Sequence, residues 1–423
     1  MFKEGLNFKL SFIKNFLILI GFCLCIFIFN LFYEYQNFLN FKQNKHQTLS
    51  GVKVLQSYEK TRNNKVYKVF KLQNSQFTFY TTSYKKDLDL KKYQEIKLRI
   101  INTNVSFKDY LSKNFYMPSY DISIENSQTT PRNQLIAYFL NQHQNEKIKE
   151  LFGALFFALP VSKELRNDVN HYGIAHLIAI SGYHIALIFS LIFFLLSPIY
   201  GFFQKRYFPY RNLKLDLSVF IFILLFLYGF MIGFVPSFIR SLIMALWGFY
   251  LIAKNVKILS FHNLFMSILF CICLFPQLLF SLGFLFSIMG VFFIFLYLHH
   301  FSKYFNNFFN VIFLNIWTFF AMIIPVLYFF PLISYQQLLA IILSFAFVIF
   351  YPLSLFLHII GFGGFFDEYL QSFLNLKFYA SNFFLHGKYF YSYIFLSFLS
   401  IFNKYLALFI ISLNFLPFIL LLF

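Results

Sequence analysis

From residue 171 to the end of the chain, apolar positions follow one another almost without pause, in segments at 172–197, 215–235, 237–253, 258–275, 278–298, 309–331, 335–360, 389–402 and 404–423. Segments of this kind close their backbone hydrogen bonds internally as helices and suit the ~30 Å hydrocarbon core of a bilayer. Another apolar run, 16–32, follows Lys3, Lys9 and Lys14, and the Tyr33-Glu34-Tyr35 after it offers no small-residue cleavage site. That pattern predicts a retained anchor with its N-terminus in the cytoplasm. Threading onward places Lys205, Arg206, Arg211, Lys214, Lys254, Lys257 and Lys303 on the cytoplasmic side. The positive-inside rule asks for this placement, and it gives about ten transmembrane helices with a cytoplasmic C-terminus.

Residues 34–131 are the one long polar stretch, which this threading puts outside. Alternation with period two at 51–55, 66–70, 77–80 and 96–100 predicts short strands separated by turns rich in Asn, Ser and Lys. About five strands in so short a stretch suit a small barrel of the oligonucleotide-binding (OB) type better than an open sheet with bare edges. The fold class expected is a polytopic α-helical membrane protein with a small all-β, OB-like extracytoplasmic domain. Its divisions are a tail and anchor at 1–33, the β domain at 34–131, amphipathic or interfacial helices at 132–170 and a transmembrane domain at 171–423. Within 132–170, the apolar patch 151–159 is too short to span and is expected at the interface or as a re-entrant segment.

Composition agrees with this class: 59% of the 423 residues are hydrophobic and 12% are charged, too few polar groups to clothe two or three soluble domains. An A/T-rich genome would supply the abundant Phe, Tyr, Lys, Asn and Ile, so placement counts for more than totals. Cys23, Cys25, Cys271 and Cys273 all lie in apolar segments, and residues two apart on a helix face different ways, which predicts neither disulfide nor metal. Residues 34–131 hold 16 Lys and Arg against 8 Asp and Glu, a net charge of +8. Lys53, Lys65, Tyr67, Lys68 and Lys71, interleaved with Val and Phe, would present cations and aromatic rings on a sheet surface. Such a surface binds single strands without sequence preference, while the plainer reading is a solvated basic domain near anionic lipid.

Two constellations in the apolar part bear on chemistry. Between 169 and 204 there is no Asp, Glu, Lys or Arg, yet the stretch holds His176, Ser181, Gly182 and His184. Ser181-Gly182 is expected to break a helix at membrane depth, where transport proteins place a substrate path. Close helix packing is the alternative. Ser181 and His184 as nucleophile and base would lack a nearby carboxylate, and His171, His176 and His184 match no familiar metal-ligand spacing. Arg240 is the only charged residue between 217 and 253, and Pro236 and Ser237 place it one turn into a helix near the positive end of the dipole. An intramembrane arginine costs roughly 2.5–3.5 kcal/mol on insertion scales, so an anionic ligand is one reading and a carbonyl or headgroup partner the other. No G-x-x-x-x-G-K-[ST] or H-x-H-x-D-H pattern is present.

The segment His176-Leu177-Ile178-Ala179-Ile180-Ser181-Gly182-Tyr183-His184-Ile185 resembles the H-L-L-A-[IV]-S-G-L-H-V signature of the ComEC family of competence membrane channels. Arg240-Ser241-Leu242-Ile243-Met244 is similar to that family's R-A-x-x-M segment, with Ser241 in place of alanine. Gly283-Phe284-Leu285-Phe286-Ser287 is similar to its G-F-Q-L-S element, with Leu285 in place of glutamine, and Phe107-Lys108-Asp109-Tyr110-Leu111 loosely resembles the segment that closes the outer domain. The resemblance implies an inner-membrane channel taking single-stranded DNA into the cytoplasm during natural transformation, with no cofactor and no catalysis of its own. It implies a short form without the C-terminal metallo-β-lactamase-like domain. Implied partners are single-stranded DNA, the bilayer, a periplasmic DNA receptor and a cytoplasmic motor or single-strand-binding protein, and an oligomer is compatible. His176, Ser181, Gly182, His184, Pro236, Ser237, Arg240, Gly283 and Ser287 would mark the DNA path. A permease or flippase for a smaller anion or lipid, and an intramembrane hydrolase using Ser181 and His184, are the other readings.

Overall fold

The computed structural model describes residues 2–62, 65–74, 76–83, 90, 94–125, 130–255 and 260–421, with backbone alone at 2–16, 62 and 65. Lys257 and the side chain of Lys65 therefore lie outside the described residues. The chain divides into two compact units, one made of residues 1–130 with 266–281 and the other of 131–265 with 282–423.

The first unit opens with helix α1 (Phe2–Gln43). It does not stop where the apolar run ends: its last turns carry Phe38 and Phe41 into the core of the β domain, and Glu34 pairs with Lys113 at 2.6 Å. Six strands follow, β1 (His46–Arg62), β2 (Lys65–Gln73), β3 (Thr78–Ser83), β4 (Glu95–Ile101), β5 (Asn114–Tyr116) and β6 (Ser119–Ile124), with helix α2 (Phe107–Ser112) before β5. The predicted strands 51–55, 66–70 and 96–100 fall within β1, β2 and β4, and 77–80 overlaps β3 from Thr78 on. Strand order is β5-β3-β2-β1-β4-β6. The two outermost strands are consecutive in the chain, separated only by Met117 and Pro118. Met117 N–H bonds Tyr80 O on β3 at 2.9 Å, while Pro118 O accepts from Ile101 N–H on β4 at 3.0 Å. β5 and β6 thus run on as one stretch that bonds to β3 at its start and to β4 further on, which brings the two ends of the strand order together. Val52, Val54, Phe70, Leu72, Phe79, Ile96, Leu98 and Ile100 fill it from alternate positions, and Tyr110 of α2 is buried among them.

The second unit begins with α3 (Pro131–Leu140), α4 (Glu146–Phe157), α5 (Lys163–His171) and α6 (Ala175–Ile178). Long helices follow: α7 (Gly182–Tyr207), α8 (Leu213–Ile232), α9 (Pro236–Ala253) and, after α10 (Phe261–Leu274) and a 3-10 turn, α11 (Leu282–His300) and α12 (Asn307–Phe329). Strand β7 (Leu332–Ser334), α13 (Leu339–Ile359), α14 (Asp367–Asn375) and β8 (Ala380–Asn382) come next, then α15 (Gly387–Leu399), α16 (Lys404–Leu413) and α17 (Leu416–Leu420). β7 and β8 pair antiparallel.

Seven helices among the described residues are long and apolar enough to cross a bilayer: Leu17–Gln43 of α1, α7, α8, α9, α11, α12 and Tyr335–Ile359. The apolar runs expected to span at 258–275, 389–402 and 404–423 form shorter helices, α10, α15 and the α16–α17 pair. The run at 172–197 is divided, so its spanning helix begins only at Gly182. Of the patch at 151–159, expected at the interface or as a re-entrant segment, residues 151–157 are buried in protein, with Phe152, Leu155 and Phe156 packed among Val169, Tyr172, Leu177, Phe347 and Tyr351.

Candidate functional site

Asn170 and Tyr172 end α5, and Gly173 turns the chain with φ +67°. A side chain there would be strained by that backbone, and its Cβ would lie 3.2 Å from Gln337 Cβ. The left-handed glycine of this region is therefore Gly173. Gly182, in contrast, is the first residue of α7, and the break before it is made by Ser181 in extended backbone, φ −137°.

Ser181 is the N-cap of α7. Its Oγ accepts from Tyr183 N–H at 3.3 Å, while Ser181 N–H donates to His184 Nδ1 at 3.3 Å, so the histidine takes the reciprocal part that a Glu or Gln has in a capping box. Accepting at Nδ1 fixes the neutral ring's proton on Nε2. His184 is fully buried, its ring edge-on to Phe347 and Tyr351, and among the described residues no carboxylate pairs with it. Ser181 Oγ does lie 3.2 Å from Nδ1, but the contact belongs to the cap.

His176, one turn earlier on α6, faces differently. Its Nδ1 donates to Gly173 O at 3.1 Å, and Nε2 lies 3.4 Å from Ser344 Oγ on α13. Tyr183 OH donates to Ser344 O at 2.8 Å, tying the start of α7 to the same residue of α13. His176 is exposed, as are Ala175, Ala179 and Gly182, whereas Leu177, Ile178 and Ile180 are buried.

Three separated sequence elements meet behind this surface. Gly182 packs against Ser241 of α9, where an added Cβ would sit 3.6 Å from Ser241 Oγ. Ser241 Oγ donates to Ser237 O at 2.9 Å. Arg240, 4% exposed, donates from Nη1 to Gly283 O on α11 at 2.6 Å. Pro236 stands at the first turn of α9 and is exposed, and Ser287 lies one turn beyond Gly283. Of the two readings of Arg240, an anionic ligand or a carbonyl or headgroup partner, the structure shows a backbone carbonyl, which joins α9 to α11. A carbonyl dipole offsets part of the cost of a guanidinium in an apolar helical bundle.

In the first unit, pairing register sorts the expected DNA-binding residues by face. Lys53 stands opposite Gln73, Lys60 opposite Tyr67, Tyr58 opposite Val69 and Lys71 opposite Tyr80, which in turn stands opposite Tyr116. These positions alternate with the inward set, so Lys53, Tyr67 and Lys71 share the outer face with Tyr58, Lys60, Tyr80 and Tyr116. Lys60 Nζ lies 5.7 Å from the Tyr58 ring centroid, and Lys71 Nζ lies 5.5 Å from that of Tyr80. Lys68 does not join them: it alternates to the other side, opposite Glu59 and Ser83.

Sequence reasoning missed a buried ionic cluster. Asp168 on α5 is 1% exposed and pairs with Lys147 of α4 and, at 2.6 Å, with Lys377. Burial pushes its carboxyl up, but the two lysines outweigh it and hold the pKa below the ordinary range. His171 lies beside this cluster, its pKa lowered by burial and by Lys377. The only local signal was charge within 163–168, which reads equally as a solvated helix face.

A chain with seven spanning-length helices among the described residues, a small β domain and a capped helix break is a multi-pass membrane protein. Residues 160–423 match the family model described as "Competence protein", more than half of the chain, and the protein belongs to that family. Membership ties it to DNA uptake in competence. No curated protein and no solved structure matches the chain.

Proposed function

We propose that this protein is the inner-membrane channel through which one DNA strand enters the cytoplasm. The observation that carries the reading is the α6–α7 break itself, where His176 is exposed in a stretch, 169–204, without Asp, Glu, Lys or Arg. The closed six-strand domain serves as an OB-like module, its ring running β1, β2, β3, β5–β6, β4. Its outer Lys–Tyr face captures single strands through phosphate contacts and base stacking. With the N-terminus cytoplasmic, the shorter helices α10, α15 and α16–α17 complete about ten crossings, and the basic loops after α7, α9 and α11 lie inside. The chain has no catalytic role of its own. A partner supplies the pulling force, and a periplasmic receptor presents the DNA.

Arg240 positions the path by locking α9 to α11. Arg240→Ala should leave the protein inserted while labelled DNA accumulates outside the inner membrane, with cytoplasmic arrival reduced at least tenfold. Undiminished arrival removes Arg240 from the mechanism. The Ser181–His184 contact is read as a helix cap, and Ser181→Thr, which keeps the cap oxygen, should retain uptake.

A further inference from the structure

A second histidine site lies apart from the signature. His143, in the connection between α3 and α4, places Nδ1 2.8 Å from Asp367 Oδ1 and Nε2 3.0 Å from His358 Nε2. His358 in turn places Nδ1 2.6 Å from Ser354 O. The three side chains stand in series and do not converge on one point as metal ligands would. Both histidines are buried, His143 stacked on Phe152 at 4.6 Å and His358 on Phe139 at 5.3 Å. Gly363 closes the site, since a Cβ there would lie 2.7 Å from His358 Cδ2. Its N–H donates to Gln142 Oε1 at 2.6 Å, and Gln142 Nε2 donates to His358 O at 3.0 Å.

Counting protons decides what this chain of contacts holds. The Ser354 carbonyl only accepts, so His358 Nδ1 carries a proton. The Nε2···Nε2 contact needs one more. The His143 Nδ1···Asp367 contact needs a third. Two neutral imidazoles and a carboxylate bring only two. We propose that His143, His358 and Asp367 form a proton-binding site that holds this third proton at neutral pH, as an imidazolium at His143 paired with the Asp367 carboxylate.

The surroundings favour the proton-bound form. It is net neutral, whereas the two-proton form sets acceptor against acceptor and leaves an unbalanced carboxylate beside buried aromatic rings. His358 lies in the last turn of α13, and Asp367 lies in the first turn of α14. The helix dipoles therefore favour positive charge at one end of the series and negative charge at the other. Other ionisable groups on the elements packed here are engaged elsewhere or point away. Arg132 of α3 donates to Met231 O, Lys147 pairs with Asp168 and Glu164, Lys149 pairs with Glu146, and Glu150 accepts from Ser162 N–H. Tyr138 OH donates to Ile359 O, and Glu368 follows Asp367 on α14. The bound proton thus clamps the α3–α4 connection to the end of α13 and the start of α14. Its release as pH rises loosens that clamp.

The test uses the full chain in liposomes with 15N-labelled histidine. The wild type at pH 8 should show an imidazolium joined to a neutral ring by coupling across an N–H···N hydrogen bond. Asp367→Asn supplies an amide N–H to His143 Nδ1, satisfying all three contacts without the third proton, so one imidazolium signal should vanish. The thermal midpoint of the wild type should fall as pH rises past proton release, and that of Asp367→Asn should not. Two neutral rings in the wild type overturn the proposal whether or not the variant folds, and so does an imidazolium that persists unchanged in Asp367→Asn.

Discussion

Asp168 shows how a single side chain organises the second unit. Its carboxylate is buried, and Lys147 and Lys377 come to it from segments that are distant in sequence. Asp168→Asn leaves two ammonium groups facing each other, and the cost should be about 3 kcal/mol, the low end for breaking a buried pair because Lys377 is half exposed. The sign with pH follows from the depressed carboxyl pKa. The stabilisation is complete above the unfolded aspartate value of about 3.9 and is lost as pH falls through the lower folded value. Thermal melts of wild type and variant should therefore differ fully at pH 7 and converge in strong acid.

At the scale of elements, the outer face of β1, β2, β3 and β5 is a Lys–Tyr surface assembled by register, with Lys60 over Tyr58 and Lys71 over Tyr80. If these lysines contact phosphates, Lys60→Ala and Lys71→Ala should each reduce the slope of log affinity against log salt by about 0.7 for single-stranded DNA. Lys68→Ala should leave the slope unchanged, because that residue faces the other way. Anisotropy titrations of the full chain in nanodiscs across a salt series measure both. The strands themselves were legible from alternation, since one face of each strand fills the barrel. Their closure was not, because it depends on Met117 and Pro118 bonding to β3 and β4 on either side, and no periodicity encodes that. Glu34 and Lys42 interrupt the apolar pattern and hide the C-terminal turns of α1 in the sequence, yet Phe38 and Phe41 carry the helix into the core of the β domain.

For the whole molecule, the exposed face of the α6–α7 break is what tests the path of DNA. In a variant with its four cysteines replaced, His176→Cys should react with a water-soluble thiol reagent. Ile180→Cys, at a position 2% exposed in the same segment, should not react. Single-stranded DNA should protect His176→Cys. Labelling that fails, or that DNA leaves unchanged, would remove the α6–α7 break from the path.

Apolar run length alone determined that the chain is a membrane protein, because hydrocarbon forces every spanning backbone into helices whatever else they touch. Alternation alone determined a β domain, and the Ser-Gly pair with its flanking histidines marked the helix break. Tertiary structure decided the rest. The structure ties α9 to α11 through Arg240 and the Gly283 carbonyl, buries most of α4 in protein, and brings His143, His358 and Asp367 together across more than two hundred residues. Partners chosen by packing leave no trace in local patterning, since each residue's neighbours along the chain say nothing of which distant carbonyl, ring or carboxylate will satisfy it.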